Sequence, residues 1–167
     1  WAGCQQQGVT PSDEMEEGSK EGEWVSYGDG FRGYFVEPMV EGEHPGVVMI
    51  HEWWGLNENI KEMAHELADE GYNVLAVDLY DGRVAAGPED AGTFASEVRE
   101  SPERAIAHMQ AAADFLREQD NFSGKIGSMG WCFGGGMSMQ LVLYELLDAT
   151  VIYYGNLETD PEKLESI

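Results

Sequence analysis

The stretch Gly130-Trp131-Cys132-Phe133-Gly134-Gly135-Gly136 sets one thiol between glycines. Gly-x-Cys-x-Gly has the spacing of a nucleophile elbow, with cysteine where serine is commoner. The chemistry asks for this composition. A nucleophile displayed on a tight, strained turn needs glycines on both sides, so that strand and helix can pass close to it. The N-terminus of the following helix offers unpaired N–H groups and a partial positive charge, which lower a thiol pKa and stabilise a developing oxyanion. Two other readings compete. A free cysteine also packs as a small inert hydrophobe. A dinucleotide-binding loop fits worse, because glycines at 127, 130 and 134 do not follow G-x-G-x-x-G and Trp131 and Phe133 would obstruct a pyrophosphate.

A second candidate segment is His51-Glu52-Trp53-Trp54-Gly55-Leu56-Asn57, directly after an apolar run at 46–50. Ligands of open α/β sheets bind beyond the carboxyl ends of the strands, where Cys132 is also expected. Alternation along a strand sends His51 and Glu52 to opposite sides, so at most one of them faces the thiol. A metal site would need further ligands at matching spacing, and none accompanies this pair. The plain reading of the tryptophans is packing.

The elements that must position these residues alternate. Trp24-Val25-Ser26-Tyr27 and Phe31-Arg32-Gly33-Tyr34-Phe35-Val36, joined at Gly28-Asp29-Gly30, read as a hairpin. Residues 46–50, 73–79, 125–129 and 149–154 read as strands of the kind found in buried parallel sheets. Between them, Ile60, Met63, Ala64, Leu67 and Ala68 share one face of a helix that Gly71 would stop. Ser101-Pro102 opens another helix, with Ile106, Met109, Ala113 and Leu116 on one side, and residues 134–147 form an apolar third. Strands alternating with helices predict a three-layer α/β/α sandwich, its sheet mostly parallel with an N-terminal hairpin.

Length and composition bound the function. The 167 residues amount to about one domain. Nine Lys and Arg stand against 32 Asp and Glu, a net charge of −23, which excludes nucleic acid as a natural partner and disfavours anionic lipid surfaces. Spread-out acids of this kind suit a salty habitat, where screening removes self-repulsion. No apolar run approaches the roughly 18 residues of a membrane span. Ala2-Gly3-Cys4 resembles the end of a bacterial lipoprotein signal, with Trp1 where that pattern has Leu. Residues 1–23 are expected to be a flexible acidic tail, or a tether lipidated at Cys4 if the chain is exported. A cytoplasmic chain with an incidental cysteine fits the same residues equally well.

With Val77-Asp78-Leu79-Tyr80 and Tyr153-Tyr154-Gly155 added to the two motifs, the chain from Trp24 onward resembles the dienelactone hydrolase family of the α/β-hydrolase fold. The resemblance implies a hydrolase that opens small lactones or carboxylic esters through a cysteine acyl-enzyme, with no metal or organic cofactor. It implies Cys132 as nucleophile and Glu52 as the glutamate that contacts the resting thiol and assists its deprotonation. It also implies the N–H groups of Phe133 and Trp53 as oxyanion-hole donors, with Trp53 and Trp54 walling the pocket. Arg83, a tempting carboxylate binder, does not map securely onto a family position.

The family's acid and histidine lie downstream of the nucleophile. Here only Asp148 and Asp160 follow as aspartates, Asp148 comes too early, and His44, His51, His65 and His108 all precede the thiol. The expectation is that these groups were encoded beyond Ile167. Residues 24–167 would then be the N-terminal two-thirds of the domain, and a poor or inactive hydrolase as they stand. The alternative is a non-catalytic protein that binds small molecules in the same pocket after losing both groups. A redox thiol is disfavoured, because no cysteine neighbours Cys132.

Overall fold

The apolar runs line up side by side in one mixed sheet. In the structure, a computed structural model that describes residues 18–165 and 167, the strands are β1 (Glu23–Tyr27), β2 (Phe31–Val36), β3 (His44–Ile50), β4 (Asn73–Val77), β5 (Phe122–Trp131) and β6 (Ala149–Tyr153). Their order is β1-β2-β4-β3-β5-β6. β1 and β2 form the antiparallel hairpin, β2 runs antiparallel to β4, and β3, β4, β5 and β6 are mutually parallel. Cys4 and the lipid-anchor reading lie outside the described residues, as does most of the expected tail. From residue 18 onward the backbone joins the domain: Gly18 O accepts from Met39 N–H, and Lys20 N–H donates to Glu37 O.

Period-two alternation sorts the side chains onto two faces. Val36, Met49, Val74 and Ala76 pack with Ile60, Ala64 and Ala68 of α1 (Glu58–Asp69). Val48, Ile50, Leu75 and Val77 point the other way, toward α2 (Pro88–Glu100), α3 (Pro102–Arg117) and α4 (Phe133–Val142). α1 begins as its sequence dictates: the Asn57 side chain accepts from Ile60 N–H. A short α5 (Pro161–Leu164) follows β6, capped by Asp160.

Four differences from the sequence reading have physical causes. α2 was unforeseen; its buried positions are the small Ala91 and Ala95 with Val98, a weak apolar stripe. Ser101 closes α2 and opens α3 without a side-chain cap, so Pro102 at the first turn carries that start. The apolar helix ends at Val142 rather than 147, because Gln110 and Arg117 of α3 take the carbonyls of Tyr144 and Leu146. β6, read as a buried strand, is the edge of the sheet, with Val151 and Tyr153 exposed.

The polar core is small. His108 Nε2 contacts the Tyr27 hydroxyl at 2.8 Å and Arg32 O at 3.1 Å, and the ring stacks on Phe31. Burial lowers the pKa of His108 to about 4, and desolvation likewise lowers that of His51 to about 4. In the unfolded chain both return toward 6.5, so the unfolded state binds more protons between pH 6.5 and 4. Stability should therefore be full above pH 6.5 and fall toward pH 4, by at most about 3 kcal/mol per imidazole. Asp78 works in the opposite sense, since desolvation raises its pKa. Urea midpoints of wild type and His108→Asn isolate the histidine: the variant should lose less between pH 7 and 4.5, and an unchanged difference would refute the assignment.

Candidate active site

Cys132 sits between the end of β5 and the first turn of α4, with φ 53 and ψ −115. A non-glycine residue in that region is strained and persists only where its surroundings hold it. Here its N–H donates to Tyr153 O at 3.0 Å, and its carbonyl accepts from Gly136 N–H at 3.2 Å. The two flanking glycines have separate jobs. A Cβ at Gly134 would collide with the carbonyls of Ile50 and His51, and one at Gly130 would strike the backbone of Gly134. The helix start is thus pressed onto the carboxyl ends of β3 and β5, which leaves the Cys132 side chain exposed above it. No acid occupies the first turn of α4. The N–H of Phe133, at the first helical position, has no intrahelical acceptor.

At the end of β3, His51 and Glu52 part as alternation requires. His51 is fully buried; its Nε2 accepts from Leu79 N–H at 3.3 Å, so Nδ1 carries the proton and donates to Glu52 O at 2.6 Å. Its ring stacks on Phe133, centroids 6.0 Å apart. It is a neutral strut beneath the elbow. Glu52 is half-buried and turns outward, where its carboxylate accepts from the Tyr154 hydroxyl at 3.3 Å. The Cys132 thiol makes no hydrogen bond to Glu52 among the described residues; Tyr154 is the group that reaches the carboxylate. Tyr154 is itself held at φ 41 just past β6. Desolvation raises its phenol pKa, and the charge and hydrogen bond of Glu52 add to that rise.

A cleft of about 450 Å³ opens over the sulfur, lined by Arg99, Cys132, Phe133, Met137, Tyr154 and Leu157 among others. Trp53 is not on its wall. Its indole packs on the core and on Trp54, and its carbonyl accepts from the Tyr80 hydroxyl at 3.2 Å. Gly55 N–H closes a turn onto Glu52 O, and Trp53 N–H lies within that turn. All four histidines have other engagements. His44 bridges Val40 O and Gly71 O, His65 bridges Ser19 and Tyr34, and His51 and His108 are buried as described. Asp148 pairs with Lys125 at 2.7 Å and accepts from Ile126 N–H, a structural post away from the thiol. Among the described residues no cluster of three or more His, Cys, Asp or Glu is arranged to hold a metal, and no helix is long and apolar enough to cross a membrane.

Sequence reasoning placed Cys132, Phe133 and Glu52 at this end of the sheet and missed Tyr154 and Arg99. Tyr154 had a usable signal, since Tyr-Tyr-Gly ends the strand beside the elbow strand. Arg99 had none, lying in a helix the pattern did not reveal.

A mostly parallel sheet covered by helices on both faces, with a strained residue between a strand and a Gly-rich helix start, is the architecture of the α/β hydrolases. The chain belongs to the dienelactone hydrolase family, whose model matches residues 31–167. It is 40% identical to protein usf of Aquifex pyrophilus over 74% of this chain and 56% of that protein. It is 28% identical to carboxymethylenebutenolidase of Pseudomonas putida over 81% of this chain and 61% of that enzyme. Among solved structures, m3DLH superposes with a TM-score of 0.79 at 30% identity, over 89% of this chain and 65% of its own. A dienelactone hydrolase-like promiscuous phosphotriesterase from metagenomic libraries gives 0.76 at 28%, over 87% and 64%. The chain thus spans 56–65% of the length of these four proteins.

Because the approach at Gly134 is backbone on backbone, nothing flexible can yield to a methyl group. Gly134→Ala should cost about 2–4 kcal/mol in denaturant unfolding. A variant as stable as the parent would show that the contact is not tight.

Proposed function

We propose that the chain carries the acylation half-site of a cysteine hydrolase acting on small lactones or carboxylic esters. One observation carries the reading: an exposed thiol held in a strained conformation at an uncompensated helix N-terminus, at the mouth of a cleft. The Glu52 carboxylate takes the thiol proton. The thiolate then adds to the substrate carbonyl, and the oxyanion is received by the N–H groups of Phe133 and Trp53. Collapse breaks the C–O bond; the leaving oxygen regains a proton and a thioester remains on Cys132. Water then adds to the thioester and releases the acid.

Deacylation is the harder half. It calls for a base to activate water, and no imidazole lines this cleft among the described residues. The acyl-enzyme should therefore accumulate. The same observation favours a second reading, a protein that binds small acyl compounds in the cleft without turning them over.

With p-nitrophenyl acetate, the 167-residue chain should release a stoichiometric burst of p-nitrophenol and gain one acetyl group on Cys132 by peptide mass mapping. Cys132→Ala should lose the burst entirely. Undiminished release in that variant would sink the mechanism, whereas ester retained without acetylation would support the binding reading. Glu52→Gln should slow the burst by about 10–100-fold with little change in the denaturation midpoint. An equal burst rate would leave Glu52 only a structural role.

A further inference from the structure

Acylation calls for a base that can take a thiol proton, whereas hydrolysis of the acyl-enzyme calls for one that can activate water. The second task is far harder, since thiols ionise at about pH 8.5 and water at about 15.7. Among the described residues four titratable side chains besides Cys132 line its cleft or touch the wall, and none suits that task. The Arg99 guanidinium only donates. Desolvation and Glu52 raise the pKa of the Tyr154 phenol, which therefore stays protonated at neutral pH. Hydrogen bonds from Lys163 and from the N–H groups of Asp160 and Thr159 pull Glu158 down to about 2, so it is a very weak base. Glu52 is a carboxylate too, and it already accepts from the Tyr154 hydroxyl.

The histidines do not make up the shortage. His51 has both ring nitrogens bonded to backbone groups and a pKa lowered to about 4 by burial. His44, His65 and His108 are committed elsewhere in the fold. The means of receiving an oxyanion are nevertheless in place. The Phe133 N–H has no intrahelical acceptor, no acid stands in the first turn of α4, and the exposed sulfur opens on a cleft of about 450 Å³. An acyl group on Cys132 thus lacks only an attacking group that ionises unaided. A small thiol is such a group, and exchange between two sulfurs needs no acid to help the leaving group depart.

We propose that the chain is an acyltransferase whose acceptor is a small-molecule thiol. The acceptor gives its proton to solvent and adds as thiolate to the acyl carbonyl on Cys132. One C–S bond forms, and the oxyanion is held by the N–H groups of Phe133 and Trp53. The C–S bond to Cys132 then breaks, Cys132 leaves as thiolate, and a proton from solvent restores the thiol. Over the full cycle an ester and a thiol give a thioester and an alcohol, with no oxidant or reductant. Loading of Cys132 by an ester rests on the hydrolase reading above; transfer from a loaded Cys132 does not.

Two ways of loading keep these apart. In a Cys4→Ser background, Cys132 is acetylated either with p-nitrophenyl acetate or with S-phenyl thioacetate, an activated thioester that exchanges chemically with free thiols. 2-Mercaptoethanol is then added at pH 8. Loss of acetyl is followed by intact mass, and S-acetyl-2-mercaptoethanol by chromatography. The second-order rate constant should exceed that of S-acetyl-N-acetylcysteine in the same buffer by about tenfold or more. It should rise with pH as the acceptor thiol ionises, while buffer alone leaves most of the acetyl group in place over the same interval.

A rate constant equal to that of the free thioester would overturn the proposal, and so would acetyl loss that is as fast without the thiol. If p-nitrophenyl acetate fails to load Cys132 but the chain loaded with S-phenyl thioacetate still outpaces the free thioester, the hydrolase reading fails and the transfer stands. If the ester loads Cys132 and transfer is no faster than from the free thioester, the reading survives and the transfer falls.

Discussion

The site depends on one close approach, that of the first turn of α4 to the carbonyl ends of β3 and β5. At Gly134 the helix backbone lies against the carbonyls of Ile50 and His51, and at Gly130 the strand backbone lies against Gly134 itself. Two peptide surfaces this near leave no room for side chains, so the chain can turn from strand to helix only through a tight, left-handed residue. Cys132 is that residue. Its strain is held by its hydrogen bonds to Tyr153 and Gly136, and its exposure follows from the geometry. The packing of small residues comes first and the chemistry is placed on top of it.

The same approach explains the histidine that sits beside the site without entering it. His51 lies under the elbow with both ring nitrogens committed to backbone groups and its ring against Phe133. Burial keeps it neutral at physiological pH, with a pKa of about 4. It braces the end of β3 against the loop after β4, and so fixes where Glu52 leaves the strand. The ionisable groups in or beside the cleft are of other kinds: a thiol, two carboxylates, a phenol and a guanidinium. Membership of the dienelactone hydrolase family supplies the frame for these groups, and this chain spans somewhat over half the length of the relatives it matches.

Much of the fold was legible because its signals are local. The hairpin from Trp24 to Val36 announced itself through Gly28 and Gly30, both of which have positive φ in the turn. The run at 73–79 read as a buried strand; β4 takes up Asn73–Val77 of it, and every residue of β4 is buried. The elbow was legible because glycine spacing around a thiol reports a backbone constraint directly. α2 escaped because Ala91 and Ala95 bury too little apolar area to stand out in a pattern. The end of α4 was misplaced because it is set by Gln110 and Arg117 reaching across from another helix. Exposure of β6 depends on strand order, which no property of residues 149–153 encodes.

The sequence alone determined the alternation of strands and helices, the strained turn at Cys132 and the separation of His51 from Glu52. Each follows from sterics or periodicity within a few residues. Only the tertiary structure decided which groups share the cleft. Tyr154 meets Glu52 across 102 positions of chain, and Arg99 reaches the ring of Phe133 from a separate helix. Such meetings are products of strand order and helix packing, and those become definite only when the whole sheet closes its core.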